Sequence, residues 1–202
     1  MFAGDIDDKL HELNKNIIFC DDSFFDLSEK MDPNHAIVRI NLSNPSILFK
    51  CANNQNTAKF FKNRKCADFI VLEQGEKNTA GKWNVHIFEF KRKIKNGKDA
   101  WPDHIMMQFA GAYFNSLCLA GFFNVCINNV FLYTCYRFDM ISGSYADPAF
   151  LRLSTHNPGE AEGGAIVKWE SKNIMLHTEF ADIECEHKRI HVNEEFYSQL
   201  SI

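Results

Sequence analysis

The sequence predicts a mixed α/β (α+β) domain, a central mixed sheet flanked by helices. Three observations predict it. Short apolar runs with turn signals between them ("AIVRINL", "SILFKC", "ADFIVLEQ", "WNVHIFEFKRK") follow one another through the middle of the chain. The stretch "HIMMQFAGAYFNSLCLAGFF" that follows is too long for a strand and suits a buried helix. The chain has 202 residues, 46% of them hydrophobic and 19 of them phenylalanine, enough for one aromatic-rich core without staples. Strands before and after a buried helix pack as layers of helix on sheet.

Taken in order, "DIDDKLHELNKNI" places Ile6, Leu10 and Leu13 on one side of an amphipathic helix. "SFFDLSEKM" reads as a second short helix before the turn "DPNH". "AIVRINL" and "SILFKC" are strands separated by "SNP", and "NQNTAKFFKNRK" is a polar, basic loop or helical turn. "ADFIVLEQ" and "WNVHIFEFKRK" are neighbouring strands joined by the turn-rich "GEKNTAGK". Asp99 or Asp103 caps the long helix, with Pro102 near its first turn. "NVFLYTCYRF", "AIVKWES", "IMLHTEF" and "ADIECEHKRIHV" are later strands, and "NEEFYSQLSI" is a short closing helix. The whole chain, residues 1–202, reads as a single domain, with a core at about 45–138 and a strand-rich extension over 139–202.

The net charge of −4 excludes a uniformly basic binder, although the lysines are clustered. The acidic N-terminus has no signal-peptide pattern, and "LAGFFNVCINNVFLY" is too short and too interrupted by Asn124, Asn128 and Asn129 to span a bilayer. No CxxC pair occurs among Cys20, Cys51, Cys66, Cys118, Cys126, Cys135 and Cys185. Most stand in apolar runs, so they read as small buried thiols of a reducing, cytoplasmic setting. "CEHKRIH" (Cys185, His187, His191) is the one local zinc candidate and lacks a second cysteine nearby.

Three charges stand where a core is expected. Asp68 opens one strand, and Glu89 and Lys91 sit two apart in the next, hence on one face. Charges on an apolar strand are costly to desolvate without partners. Paired strands would bring Asp68 to Glu89, and two adjacent carboxylates repel unless they share a proton or hold a cation. Mg²⁺ is held by one or two carboxylates, with water and phosphate oxygens completing its shell. A neighbouring lysine then orients water and stabilises charge developing on phosphorus.

The arrangement Asp68 … Glu89-Phe90-Lys91 resembles the signature of the PD-(D/E)xK nuclease superfamily, over roughly the central third of the chain. The resemblance implies a restriction-endonuclease-like αβββαβ core and metal-dependent cleavage of nucleic acid. It implies that Asp68, Glu89 and the Phe90 carbonyl ligate Mg²⁺ (or Mn²⁺), with Lys91 acting on the attacking water. Ala67 stands where the pattern has proline. The family often adds an acidic residue from an N-terminal helix; Glu12 and Glu29 are both candidates, with Glu29 nearer the core strands. It also often carries QxxxY on the following helix. Here Gln108 and Tyr113 are five apart and do not share a face, so Gln108 is the site candidate and Tyr113 belongs to the core. His104, one turn before Gln108, reads as an exposed first-turn residue.

Two basic clusters bracket these residues: Lys59, Lys62, Arg64 and Lys65 before Asp68, and Arg92, Lys93, Lys95 and Lys98 after Glu89. They suit phosphate contacts, and Trp101 is the tryptophan best placed to stack on a base, with Trp83 and Trp169 assigned to packing. The expectation is a small metal-dependent nuclease acting on DNA rather than RNA, in restriction, defence or repair, as a homodimer and without membrane. The alternative is a catalytically inactive module of the same fold that binds nucleic acid or a protein. A sugar- or nucleotide-processing enzyme lacks a Gly-rich phosphate loop.

Overall fold

The computed structural model describes residues 4–12, 18–21, 23–31, 34–51, 65–75, 81–95, 101–141, 169–178 and 180–202. They form a mixed α/β fold dominated by strands. The order is α1 (Gly4–Glu12), β1 (Ile18–Asp21), β2 (Phe24–Met31), β3 (Asn34–Asn41), β4 (Ser46–Lys50), β5 (Phe69–Gln74), β6 (Lys82–Ile94), α2 (Asp103–Phe123), β7 (Cys126–Asp139), β8 (Asn173–His177), β9 (Asp182–His191) and β10 (Tyr197–Ser201).

Seven strands make the main sheet in the order β1-β4-β5-β6-β7-β9-β8. β4, β5 and β6 form an antiparallel meander. α2 then crosses over, and β7 returns parallel to β6. β9 lies parallel to β7, and β8 antiparallel to β9. A second, three-stranded sheet has the order β10-β3-β2.

Strict alternation along the central strands divides the core in two. Ile47, Ile70, Leu72, Val85, Ile87 and Leu132 pack with Ile6 of α1 and with Ile105 and Phe109 of α2. Leu48, Phe69, Val71, Phe88, Phe90 and Tyr133 face the other way, onto Phe25, Leu27, Val38 and Ile40 of the small sheet. Among the described residues, then, helices cover one face and a sheet covers the other, where helices were expected on both.

Several local readings change accordingly. "SFFDLSEKM" is β2, not a helix, because Phe25, Leu27 and Met31 alternate inward against β3. "NEEFYSQLSI" ends in β10, whose partner β3 satisfies its backbone. Trp169 and Glu170, at the end of "AIVKWES", form a helical turn; residues 165–168 lie outside the described residues. The residues after 139 do not stand apart: β8 and β9 widen the main sheet and β10 completes the small one. Pro102 occupies the N-cap of α2, and Asp103 lies in the first turn without a side-chain cap bond; Asp99 is outside the described residues. Among the described residues α2 is the one helix long and apolar enough to cross a bilayer, and here it is the crossover helix on the sheet. The thiols are less uniformly buried than expected: Cys135 and Cys185 are buried, Cys51 and Cys66 half-buried, and Cys118 and Cys126 exposed.

α2 seats closely on the chain that leads into β5. A Cβ at Gly111 would lie 1.7 Å from the Lys65 carbonyl oxygen, so only glycine admits this approach. The Ala67 N–H donates to the Gln108 carbonyl over 3.1 Å. These two contacts fix the residues immediately before Asp68.

Candidate functional site

Asp68 stands one residue ahead of β5. The β5–β6 ladder pairs Phe69 with Phe88, so one further step sets Asp68 opposite Glu89. Opposed residues of an antiparallel pair share a face, here the face of Ile70 and Ile87 beneath α2. The Phe90 N–H donates to Asp68 Oδ2 over 2.7 Å. Lys91 returns to the Glu89 face, and its ammonium is bonded to Glu89 Oε1. The Glu89 side chain is wholly buried and that of Lys91 is 27% exposed. The three charges therefore form one cluster running from the core to the surface.

The cluster is electrostatically strained. Burial raises the Asp68 carboxyl to about 6, against the Phe90 N–H and the charges of Lys91 and Lys50, while the charge of Glu29 adds to the rise. Burial raises Glu89 to about 8, the Asp68 charge pushes the same way, and Lys91 and the Gln108 side chain oppose it. Near neutral pH the pair shares protons instead of carrying two full charges.

Among the described residues, three buried side-chain polar atoms lack a hydrogen-bond partner: Glu89 Oε2, Gln108 Oε1 and His187 Nδ1. They belong to one neighbourhood. Gln108 reaches Glu89 from α2. Thr134 is the β7 register partner of Glu89, and its hydroxyl is hydrogen-bonded to His187 Nε2 at 2.9 Å. Asp68, Glu89, Thr134 and His187 thus make a polar row across β5, β6, β7 and β9 under α2. Burial lowers His187 to about 4, which keeps it neutral.

The remaining predicted residues are less gathered. Glu29 lies on β2, not on a helix; it is half-buried in the small sheet and touches the site through its charge on Asp68. Glu12 ends α1. Arg92, Lys93 and Lys95 are exposed past the site at the far end of β6. Lys65 Nζ lies 3.3 Å from Nδ1 of His104, which is half-buried, not exposed. Lys59, Lys62, Arg64 and Lys98 lie outside the described residues. Trp101 is fully buried, stacked on His187 at 5.3 Å and edge-on to Trp169 at 5.0 Å, so it is a core residue and not a base-stacking one. Tyr113 is half-buried against the helix-side core. Cys185, His187 and His191 share a strand face, but His191 Nε2 bonds to the Arg137 carbonyl and His187 to Thr134.

Two residues escaped sequence reasoning. Lys50 ends β4 opposite Phe69, beside Asp68, and its charge favours the Asp68 anion; a register laid out for β4 and β5 would have found it. Thr134 carries no signal of its own, since a threonine in a strand is ordinary.

As a cation site the donor set is all oxygen: the Asp68 and Glu89 carboxylates, the Gln108 amide oxygen and the Phe90 carbonyl. A strand residue's N–H and C=O leave on the same flank, so the Phe90 carbonyl is directed to the flank on which its N–H meets Asp68. Among the described residues no group of three His, Cys, Asp or Glu side chains converges. Two carboxylates suit Mg²⁺ or Mn²⁺, which keep waters in their shell, and not zinc.

A second buried carboxylate stands on the same two strands. Glu73 accepts hydrogen bonds from Asn44 Nδ2 (3.0 Å) and Asn84 Nδ2 (3.2 Å) and lies 3.3 Å from His86 Nε2. His86 Nδ1 is bonded to the Tyr133 hydroxyl at 3.0 Å. A groove of about 570 Å³ between α2 and β8, lined by Trp101, Met106, Phe114 and Met175, includes neither Asp68 nor Glu89. No family model, curated protein or solved structure matches this chain, so the chemistry of the site rests on its own residues.

Proposed function

We propose that the protein is a divalent-metal-dependent nuclease of the PD-(D/E)xK type, acting on DNA. The observation that carries this reading is the unsatisfied acidic cluster. Among the described residues, Glu89 is buried with one carboxylate oxygen lacking a close hydrogen-bond partner, next to a second raised-pKa carboxylate and an amide oxygen that also lacks one. Buried polar groups in folded proteins are paired, and a hard cation is the partner that this oxygen set fits. The antiparallel meander β4–β6, the crossover α2 and the parallel return to β7 support a restriction-endonuclease-like core.

Bound by Asp68, Glu89 and the Phe90 carbonyl, Mg²⁺ or Mn²⁺ supplies charge neutralisation at a phosphodiester and activation of water. The chain's own contribution is positional. The Phe90 N–H fixes one Asp68 oxygen and leaves the other for the cation. Lys91 bridges Glu89 and solvent, so its ammonium meets the attacking water and the charge that develops on phosphorus. Gln108 holds the Glu89 anion from above. Arg92 and Lys93 continue the same strand outward, and Lys95 follows its last residue, as phosphate contacts.

The test is cleavage of plasmid and oligonucleotide DNA in Mg²⁺ or Mn²⁺, with Lys91→Ala beside the parent. Metal-dependent cleavage by the parent alone is expected; equal products from both proteins reject the reading. Mn²⁺ binding by calorimetry without cleavage would assign the chain to a binding module instead.

A further inference from the structure

The two sheets leave a groove open at their margin. Its volume is about 350 Å³, and it lies between β2, the edge strand of the small sheet, and the ends of β4 and β5. Phe24, Asp26 and Ser28 line one side, Lys50 and Phe69 the other, and Asp21 of β1 also borders it. Lys50 is the register partner of Phe69, one residue from Asp68. Its ammonium lies 5.6 Å from the centre of the Phe69 ring. Lys50 is half-buried, and among the described residues no carboxylate forms an ion pair with it. Asp26 is already engaged: Arg39 Nε and Nη2 donate to its two oxygens over 2.8 and 2.7 Å. The same guanidinium sits over the Phe24 ring at 4.5 Å and supports it, while that ring stays 42% exposed. Asp21 is exposed and accepts the Ser23 N–H over 2.7 Å.

We propose that this groove seats one unpaired nucleotide of the substrate strand, with its base on Phe24 and its phosphate on Lys50. The choice of a nucleic-acid strand rests on the proposed function. A half-buried ammonium without a carboxylate calls for an anion, and a phosphate is the anion that a strand brings. An exposed ring held by a guanidinium is a stacking platform for a base, whatever its identity. A groove of about 350 Å³ is at the small end of ligand sites. It admits one base with its sugar and not a stacked pair, so the nucleotide must stand out of a duplex. Asp21 at the rim repels a second phosphate, which limits the seat to one.

The groove adjoins the acidic cluster around the end of the sheet. Asp68 immediately precedes Phe69, the first residue of β5, and Lys50 is the last residue of β4. Ser28 is followed on β2 by Glu29, and the charges of Glu29 and Lys50 both act on Asp68. Asp68 and Glu89 face α2, whereas Phe69 faces the small sheet. A strand with its scissile phosphate at Asp68 and Glu89 therefore turns over the ends of β4 and β5 and sets the adjoining nucleotide on Lys50. The larger groove between α2 and β8 includes Asp103 but, among the described residues, no lysine or arginine, so it does not suit a phosphate.

Fluorescence anisotropy on the full chain in EDTA tests this without any cleavage. The probes are a labelled oligothymidylate of about 12 nucleotides and a blunt duplex of the same length. The single strand is expected to bind about tenfold more tightly than the duplex, and Phe24→Ala and Lys50→Ala each to weaken it by about fivefold or more. Over a salt series, Lys50→Ala is expected to reduce the slope by about 0.7, the loss of one phosphate contact on a single strand. Phe24→Ala and Lys50→Arg are expected to keep the parent's slope. A duplex bound as tightly as the single strand overturns the proposal, as does a Lys50→Ala protein with the parent's affinity and slope. Single-strand binding with these losses, but no cleavage by the parent in Mg²⁺ or Mn²⁺, leaves the groove standing and removes the nuclease reading instead.

Discussion

The β5–β6 pair holds buried carboxylates at two places, Glu73 on β5 and Glu89 on β6, and the two are built oppositely. At one end Glu73 is surrounded by Asn44, Asn84 and His86, so that although burial pushes its carboxyl up, these hydrogen bonds outweigh it and the value falls below the ordinary range. Its relay continues to the Tyr133 hydroxyl, and none of its oxygens is stranded. At the other end, on the opposite face, Glu89 has one oxygen on Lys91, its other oxygen lacks a close hydrogen-bond partner among the described residues, and its value rises to about 8. A carboxylate that serves the fold is saturated by the fold. One left short at a fixed place, beside another carboxylate, is what the proposed cation would complete.

The comparison breaks first at activity. Asp68→Asn, Glu89→Gln and Lys91→Ala are each expected to lower metal-dependent DNA cleavage by on the order of a thousandfold, while Glu73→Gln leaves the turnover of the folded fraction unchanged. Plasmid nicking followed over time checks this, and comparable losses at Glu73 and Glu89 would erase the distinction drawn between the two ends.

Stability is expected to move the other way. Glu73→Gln lowers the unfolding free energy by about 1.5–3 kcal/mol, since it removes a charged acceptor from buried His86 and from half-buried Asn44 and Asn84. Glu89→Gln raises the stability of the metal-free protein at pH 8, because the buried charge is gone. Denaturant titrations at matched slope measure both changes.

The pH dependence sharpens the contrast. Folded Asp68 and Glu89 keep their protons up to about 6 and about 8, whereas unfolded carboxyls release theirs near about 4. Between these values the folded state binds more protons than the unfolded one, so this contribution to stability falls as pH rises through that window. Glu73 has the reverse sign: its contribution is present above the ordinary carboxyl range and is lost as pH drops through its lowered folded value. Thermal melts of the metal-free parent and Glu89→Gln should therefore converge at acid pH and separate by pH 8, and Mn²⁺ should stabilise the parent more at pH 8 than at pH 6.

The smallest expected effect is at the surface. Lys93→Ala and Lys95→Ala should each weaken DNA binding across sequences and reduce the salt slope by about one, as read by fluorescence anisotropy over a salt series. Trp101→Phe should leave base recognition untouched, since Trp101 packs on His187 and Trp169 in the core.

Much of the fold was legible in the chain because its signals are local. Apolar runs bounded by turn signals mark β3 to β6, and the length of the run from His104 to Phe123 marks α2. β2 and β10 were misread because they belong to a small sheet whose outer face is polar, so "FDLSEKM" and "YSQLS" resemble surface helix more than strand. Trp101 was misread for the opposite reason: its sequence neighbours are polar, and its burial comes from Trp169 and His187, far along the chain.

The pattern of Asp68, Glu89 and Lys91 in the text was enough to set which charges share a strand face, because side-chain direction has a period of two whatever the surroundings. That Asp68 lies opposite Glu89, that Gln108 leans on it from a helix clamped at Gly111, and that its second oxygen lacks a close hydrogen-bond partner among the described residues were decided by register and packing. Those depend on contacts between residues distant in sequence, where local preference has nothing to say.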